Sequence, residues 1–263
     1  MKDDLNILIS NDDGINAPGI DALIRKVKKY ADVSVVAPSV ERSAVGHAIT
    51  LSDPLRVSEF QKNGHWQGYS VSGTPADSVK IAVQELLDEK PDLVISGINL
   101  GSNTGINVIY SGTVSAATEA AILGIPSFAV SLTTYSNPNF EPAAEFAVQM
   151  IDRIQEMDIP QNTLLNINVP NVDKFSDIKA INVTRQGTAP FAEEFEKRVD
   201  LKNRDYYWLG GSKVPTDKDE MIDDHAVKEN KISITPIQYD LTNYDYINEL
   251  RTNLAEKKFN EGN

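Results

Sequence analysis

The stretch DLVISGINLGSNTGINVIYSGTVSAATEAAILGIPSFAVSL, residues 92–132, decides the fold. Asp92–Ser96 is short, apolar and β-branched behind Pro91, as a strand covered on both faces should be. A loop from Gly97 to Tyr110 follows, rich in asparagine and glycine and without a charge. Thr113 to Leu123 reads as a helix stopped by Gly124 and Pro126. Pro126–Leu132 is the next strand. In an open α/β sheet, ligands bind where loops leave the carboxyl ends of strands. This loop is longer than a plain connection, and its backbone polar groups need partners. It is the first place to look for function.

The same alternation extends in both directions. Leu5–Ser10 reads as a strand, followed at once by Asn11-Asp12-Asp13-Gly14. Ile20, Leu23, Ile24 and Val27 fall on one helical face. Val33–Ala37 is a second strand, broken by Pro38, and Ser39–Thr50 is a polar loop. Pro54–Phe60 and Trp66–Ser72 form a hairpin with Asn63-Gly64 at its turn. Thr74-Pro75-Ala76-Asp77 has the form of a capped helix start, and Val79, Ala82, Val83, Leu86 and Leu87 follow on one face. Ala143–Met157 is another amphipathic helix, with Ala147, Met150, Ile151 and Ile154 inward. Leu164–Val169, Ile178–Thr184 and Lys231–Ile237 read as strands, and a short helix ends the chain.

This order specifies an α/β fold, a Rossmann-like, doubly wound and mostly parallel sheet. We expect residues 1–170 to form the catalytic core. We expect residues 171–263 to form a β-rich extension that completes the fold, since 186–230 is polar and sparsely periodic around Tyr206-Tyr207-Trp208. The last residues, KKFNEGN, have a disordered composition.

Bulk properties narrow the function. The formal net charge is −13, which excludes a general nucleic-acid groove, and an anionic substrate would need a bound cation. There is no cysteine, so disulfides, thiolate zinc sites and cysteine nucleophiles are excluded. The start of the chain is too acidic and its apolar run too short for a signal peptide, and no window is long enough to span a membrane. A soluble, cytoplasmic protein is expected. GxGxxG and Walker A patterns are absent, and Gly97, Gly101 and Gly105, spaced by four, lie in no apolar helix.

Asp12-Asp13 directly follows the first strand. Two adjacent carboxylates repel unless a proton or cation lies between them. Taken alone, the dipeptide is better read as a helix N-cap with an acidic first turn. The alternative is a hard divalent cation. Ser43, in the loop after the second strand, and Asn99, in the loop after Val94-Ile95, are ordinary loop residues singly. Together, three loops at one sheet edge would supply two carboxylates, a hydroxyl and an amide, a set suited to Mg²⁺ or Mn²⁺ and wrong for structural zinc. Ser111-Gly112-Thr113 precedes a helix, and its N–H groups and hydroxyls suit phosphate oxygens as well as a cap. His47 reads as a solvated loop histidine. His65 and His225 have no partner visible in sequence.

At these residues the chain resembles a known family. SNDDGINAPGI (10–20), APSVERSAVGHAIT (37–50), SGTPADSVK (72–80) and the run 96–131 are similar to the motifs of the SurE survival proteins, the 5′/3′-nucleotidases. VTRQG (183–187) and ISITPIQYDLT (232–242) resemble its later signature. The resemblance implies a Rossmann-like core, one divalent metal ion per subunit, and hydrolysis of nucleoside monophosphates by an acid-phosphatase-like phosphoric monoester hydrolase. It places the metal on Asp12, Asp13, Ser43 and Asn99, and catalysis on Asp12 and Asp13. Asn103, Ser111, Gly112 and Thr113 fall on the substrate side. It also implies a homodimer or homotetramer exchanging C-terminal segments. Either aspartate can act as ligand, base or nucleophile. Rival readings keep the site but turn it to polyphosphate or another phosphoester, or make the protein a nucleotide binder without turnover.

Overall fold

The strand β1 (Asn6–Ser10) sits between two parallel neighbours, β2 (Asp32–Pro38) and β5 (Leu93–Leu100), with Ile7 opposite Val33 on one side and Leu93 on the other. Its side chains alternate between two cores. Ile7 and Ile9 face α1 (Pro18–Val27) and α5 (Glu141–Glu156), where Ile20, Leu23, Ile24, Met150 and Ile151 are buried. Leu8 faces the other way, onto Val79, Ala82, Ala116 and Ala120 of the segments described below. An apolar run covered on both faces is the physical content of a doubly wound sheet. The computed structural model describes residues 5–189, 191–213 and 219–256. KKFNEGN lies outside them.

Among the described residues nine strands, whose remaining ranges follow, form the sheet in the order β3-β4-β2-β1-β5-β6-β7-β11-β8. The edge hairpin is β3 (Val57–Lys62) and β4 (Trp66–Val71). Asn63 and Gly64 turn it with positive φ at both, as their residue types predict. Trp66 packs it onto α1 through an Nε1–H bond to Asp21 Oδ1 of 2.8 Å. The predicted capping box is present: Thr74 Oγ1 accepts from Asp77 N, and Asp77 accepts from Thr74 N. It opens α2 (Pro75–Ile81), which runs on through a π turn at Ala82–Leu86. On the other side of β1, α4 (Gly112–Ile122) precedes β6 (Ser127–Leu132), and α5 precedes β7 (Thr163–Val169).

The 97–110 segment differs from a simple loop. β5 continues to Leu100 across an irregularity, where Ser96 pairs with Ala129 but Asn99 pairs with Ser131. Gly97 makes this possible, because a Cβ there would lie 2.4 Å from the Val130 carbonyl oxygen, at a φ of +141°. Gly97→Ala should therefore cost about 3 kcal/mol or more in urea unfolding, and a loss below about 1 kcal/mol would contradict this packing. A single helical turn, α3 (Asn107–Tyr110), ends the segment.

Beyond β7, β8 (Ile181–Val183) and β11 (Ile232–Gln238) join the same sheet, β11 antiparallel to β7 and β8 parallel to β11. Between them, β9 (Phe191–Val199) and β10 (Asp205–Lys213) pair, among the described residues, only with each other. The helices α6 (Asp223–Lys228) and α7 (Tyr244–Glu256) complete the extension.

The chain winds outward from β1 to β2 and then crosses back through β4 and α2 to β5 on the opposite side. The switch point is therefore between β1 and β5, where Ser10 lies opposite Ser96. Asp12-Asp13 leaves one strand there, and Asn99 lies near the end of the other.

Candidate active site

Past β1 the chain turns sharply. Asn11 Nδ2 donates to the Gly14 carbonyl at 2.8 Å, and α1 begins only at Pro18 with Ala17 as its cap residue. The aspartates are thus outside the helix, which removes their reading as an N-cap and acidic first turn. The 39–50 loop is laid against them: Arg42 N donates to the Asp12 carbonyl at 2.7 Å. A Cβ on Gly14 would come within 3.1 Å of the Val40 carbonyl carbon, so the two loops meet backbone to backbone.

Asp12 is buried and accepts the Thr113 hydroxyl at Oδ1, 2.5 Å away. Burial holds its carboxyl above the ordinary range, against the pull of the Thr113 hydroxyl and backbone N–H. Asp13 is half-buried and accepts Leu100 N–H of β5 at Oδ2, 3.1 Å away. Burial and then the charge of Asp12 push its carboxyl from 3.8 up to about 7. Glu41 adds a further repulsion to both. Among the described residues no cationic side chain offsets this charge.

The surroundings fit a hard divalent cation. Ser10 Oγ, Asn11 Oδ1 and Ser96 Oγ are buried at this strand-end edge without hydrogen-bond partners among the described residues. Asn99 spends its Nδ2 on the Gly101 carbonyl at 2.7 Å, and its Oδ1 makes no bond among the described residues. Free oxygen donors beside uncompensated carboxylates are the chemistry that Mg²⁺ or Mn²⁺ requires.

Opposite Asp12, Ser111 caps α4, its Oγ accepting Val114 N at 3.0 Å. Helix geometry leaves the Gly112 and Thr113 N–H groups without intrahelical acceptors, at the positive end of the helix dipole. Asn103 is locked in place by a polar layer. Its Nδ2 donates to Ser131 Oγ at 2.9 Å, its N–H to Asn168 Oδ1 at 2.8 Å, and its carbonyl accepts from Asn166 and Asn168.

Asp12, Asp13, Asn103, Gly112 and Thr113 therefore meet at one edge, with Asn99 in the adjoining strand. Ser43 sits beside Arg42 in the loop laid on Asp12, and its exposed hydroxyl donates to Glu41 at 2.6 Å. His47 is not simply solvated. Its Nε2 is 2.9 Å from buried Glu119 of α4, which also pairs with Lys80 of α2 at 2.5 Å. Glu41, Glu119 and the Asn166/Asn168 pair were not singled out from the sequence. For the two asparagines a sign existed: polar residues at i and i+2 near the carboxyl end of a buried strand share one face and need partners.

The charge balance has a pH consequence. Unfolded, Asp13 loses its proton near 3.8, whereas folded it keeps it to about 7. The folded state holds more protons in that window, so metal-free stability falls as pH rises through it. A cation that binds the ionised pair removes the penalty. The Tm gain on adding Mg²⁺ or Mn²⁺ should be larger at pH 8 than at pH 5 in thermal melts, and equal gains would contradict the assignment.

Three comparisons bear on this geometry. The family described as survival protein SurE matches residues 7–193. A 5′-nucleotidase SurE from Syntrophus aciditrophicus is 51% identical over 254 residues, covering 96% of this chain and 95% of that protein. One from Syntrophobacter fumaroxidans is 47% identical over 246 residues, covering 94% and 98%. The crystal structure of the SurE protein from Aquifex aeolicus superposes with a TM-score of 0.83 at 39% identity, covering 96% of this chain and all of that one.

Proposed function

The chain belongs to the survival protein SurE family, and on that premise we propose that it is a 5′/3′-nucleotidase, a metal-dependent phosphomonoesterase that hydrolyses nucleoside 5′- and 3′-monophosphates to nucleoside and phosphate. The observation that carries the reading is the Asp12–Asp13 pair. It lies at the switch point with its charge uncompensated and a helix N-terminus touching Asp12. A protein that only bound nucleotide could hold phosphate on backbone donors and would have no use for two repelling carboxylates.

Asp12, Asp13, Ser43 and Asn99 would hold one Mg²⁺ or Mn²⁺ per subunit. When bound, the ion supplies Lewis-acid polarisation of a phosphoryl oxygen and acidifies water. The Gly112 amide, preorganised by the Ser111 cap, donates to the phosphoryl oxygens as charge builds on them, while the Thr113 amide and hydroxyl hold Asp12. Thr113 fixes Asp12 through its hydroxyl, and Asn103 lines the substrate side from its locked position. Asp13 Oδ2 is held by Leu100, which leaves Oδ1 as the oxygen that would face the cation or take the proton of the attacking water.

We divide the chain into a catalytic core, 1–170, and an extension, 171–263, that completes the sheet and mediates assembly into a homodimer or homotetramer with exchanged C-terminal segments. Exposed Phe195, Trp208 and Leu209 on the β9–β10 hairpin and Tyr244 and Leu250 on α7 favour that reading. No helix among the described residues is long and apolar enough to cross a membrane. We place the enzyme in the cytoplasm, the compartment that holds free nucleoside monophosphates.

A substrate panel at equal concentration tests the assignment: 5′-AMP, 3′-AMP, ribose 5-phosphate, p-nitrophenyl phosphate and short-chain polyphosphate. The nucleotides should give the highest kcat/KM. A nucleotide share near zero would overturn the proposal in favour of another phosphoester.

A further inference from the structure

The 103–105 segment is held at one end by β7, through Asn166 and Asn168, and at the other by residues more than eighty positions away. Gly105 N–H donates to Asp223 Oδ2 at 2.8 Å, and the Gly105 carbonyl accepts Gln186 Nε2 at 2.8 Å. Both backbone polar groups of Gly105 are thus taken by the extension. Thr104 Oγ1 adds a bond of 2.7 Å to Asp224 Oδ1. Asp223 is fully buried, and its Oδ1 also accepts Gly187 N at 3.0 Å and Asp224 N at 2.8 Å. There is no slack in the contact. A Cβ on Gly105, where φ is +58°, would lie 3.2 Å from Asp224 Oδ2 and 3.3 Å from the Gly187 carbonyl oxygen.

The placement of these residues in the chain matters as much as the bonds. Gly187 is where the chain departs toward the β9–β10 hairpin, and Asp223 is where it returns to α6. One carboxylate therefore joins both roots of the hairpin to a glycine two residues from Asn103. Burying a carboxylate is expensive unless its oxygens are fully bonded, and three backbone N–H groups from three separate segments supply those bonds.

We propose that Asp223 is a positioning residue for the nucleotidase site: by binding Gly105, Gly187 and Asp224 N–H together, it fixes the loop that presents Asn103 to substrate. It touches none of the site aspartates and acts only through the loop. The inference rests on the nucleotidase reading given above.

Asp223→Asn is the selective probe. The retained oxygen can keep Gly187 and Asp224, but the new amide then sets a donor against Gly105 N–H. We expect kcat for AMP to fall about tenfold or more, with far-UV circular dichroism unchanged. Amide hydrogen exchange in a peptide spanning residues 101–107 of metal-free protein should become faster. In an Asn103→Ala background the same substitution should lower kcat less than about twofold further, since the residue it positions is already gone. Wild-type kcat and KM in folded Asp223→Asn, or a full loss that persists in the Asn103→Ala background, would overturn the proposal. If the variant does not fold, Gln186→Ala removes the extension's bond to the Gly105 carbonyl, leaving that of Val108 N–H at 3.3 Å, and carries the same test. It should speed exchange in 101–107 and lower kcat about threefold, and unchanged values overturn the inference. If the wild type releases no phosphate from AMP, the nucleotidase reading fails. The exchange result then decides the loop contact alone, with unchanged exchange overturning it.

Discussion

Asp13→Ala lowers kcat for AMP by about a thousandfold or more while leaving the protein folded. The two halves of this expectation have separate causes. In the proposed site Asp13 is one of two charged donors for the cation, and no other carboxylate follows β1 at that position. On that proposal its loss removes ligand charge and a proton acceptor together. Its contribution to stability is the reverse of its contribution to activity. Burial and the neighbouring Asp12 push its carboxyl up to about 7, so the ionised form is disfavoured in the metal-free protein. Alanine removes that repulsion and gives up one bond of 3.1 Å from Leu100 N. The metal-free Tm should therefore be unchanged or higher, the pattern of a site that carries strain for function. A kcat within about tenfold of wild type, or about 1.4 kcal/mol of barrier, would show that Asp13 is not part of the machinery.

Gly112→Ala is the second large effect, and it works by a single methyl group. A Cβ at Gly112 would lie 2.7 Å from Asp12 Cβ, 3.1 Å from Asp12 Oδ2 and 3.1 Å from Pro75 Cγ. Asp12 cannot retreat freely, because Thr113 holds its Oδ1 and Arg42 N holds its carbonyl. The added methyl must displace Asp12, shift the start of α4, or do both, and in each case the Gly112 and Thr113 amides leave their aim. We expect kcat/KM for AMP to fall about a hundredfold or more, since a displacement of about 1 Å at a reacting centre has that order of effect. The same clash costs stability, about 1–3 kcal/mol for an overpacked methyl. The loss of turnover is therefore read on protein shown by circular dichroism to be folded at the assay temperature. A Gly112→Ala enzyme with wild-type kcat/KM would remove this helix start from the phosphate side.

Much of the scaffold could be read from local pattern. The inward face of α1, the Asn-Gly hairpin turn and the Thr74–Asp77 capping box each depend on residues within a few positions of one another, and all three are present. The continuation of β5 to Leu100 was not legible, because glycine and asparagine in GINLG have the composition of a loop. What makes it a strand is the close approach of Gly97 to Val130 in the neighbouring strand. The aspartate pair was visible as a repulsion needing an explanation, and the late start of α1 excluded the simplest one. The parts of the site that stayed hidden are long-range pairings. His47 meets Glu119, and Asp223 meets Gly105, across most of the fold. No periodicity encodes such contacts, and only the sheet order brings them together.

Phosphate release should depend on a cation held at the Asp12–Asp13 edge. The most direct test of this dependence is phosphate release from AMP by protein stripped with chelator, measured before and after Mg²⁺ or Mn²⁺ is restored. Release is expected to vanish on stripping and to return with the metal. Release that persists undiminished in the stripped protein, or none under either metal, would contradict that dependence.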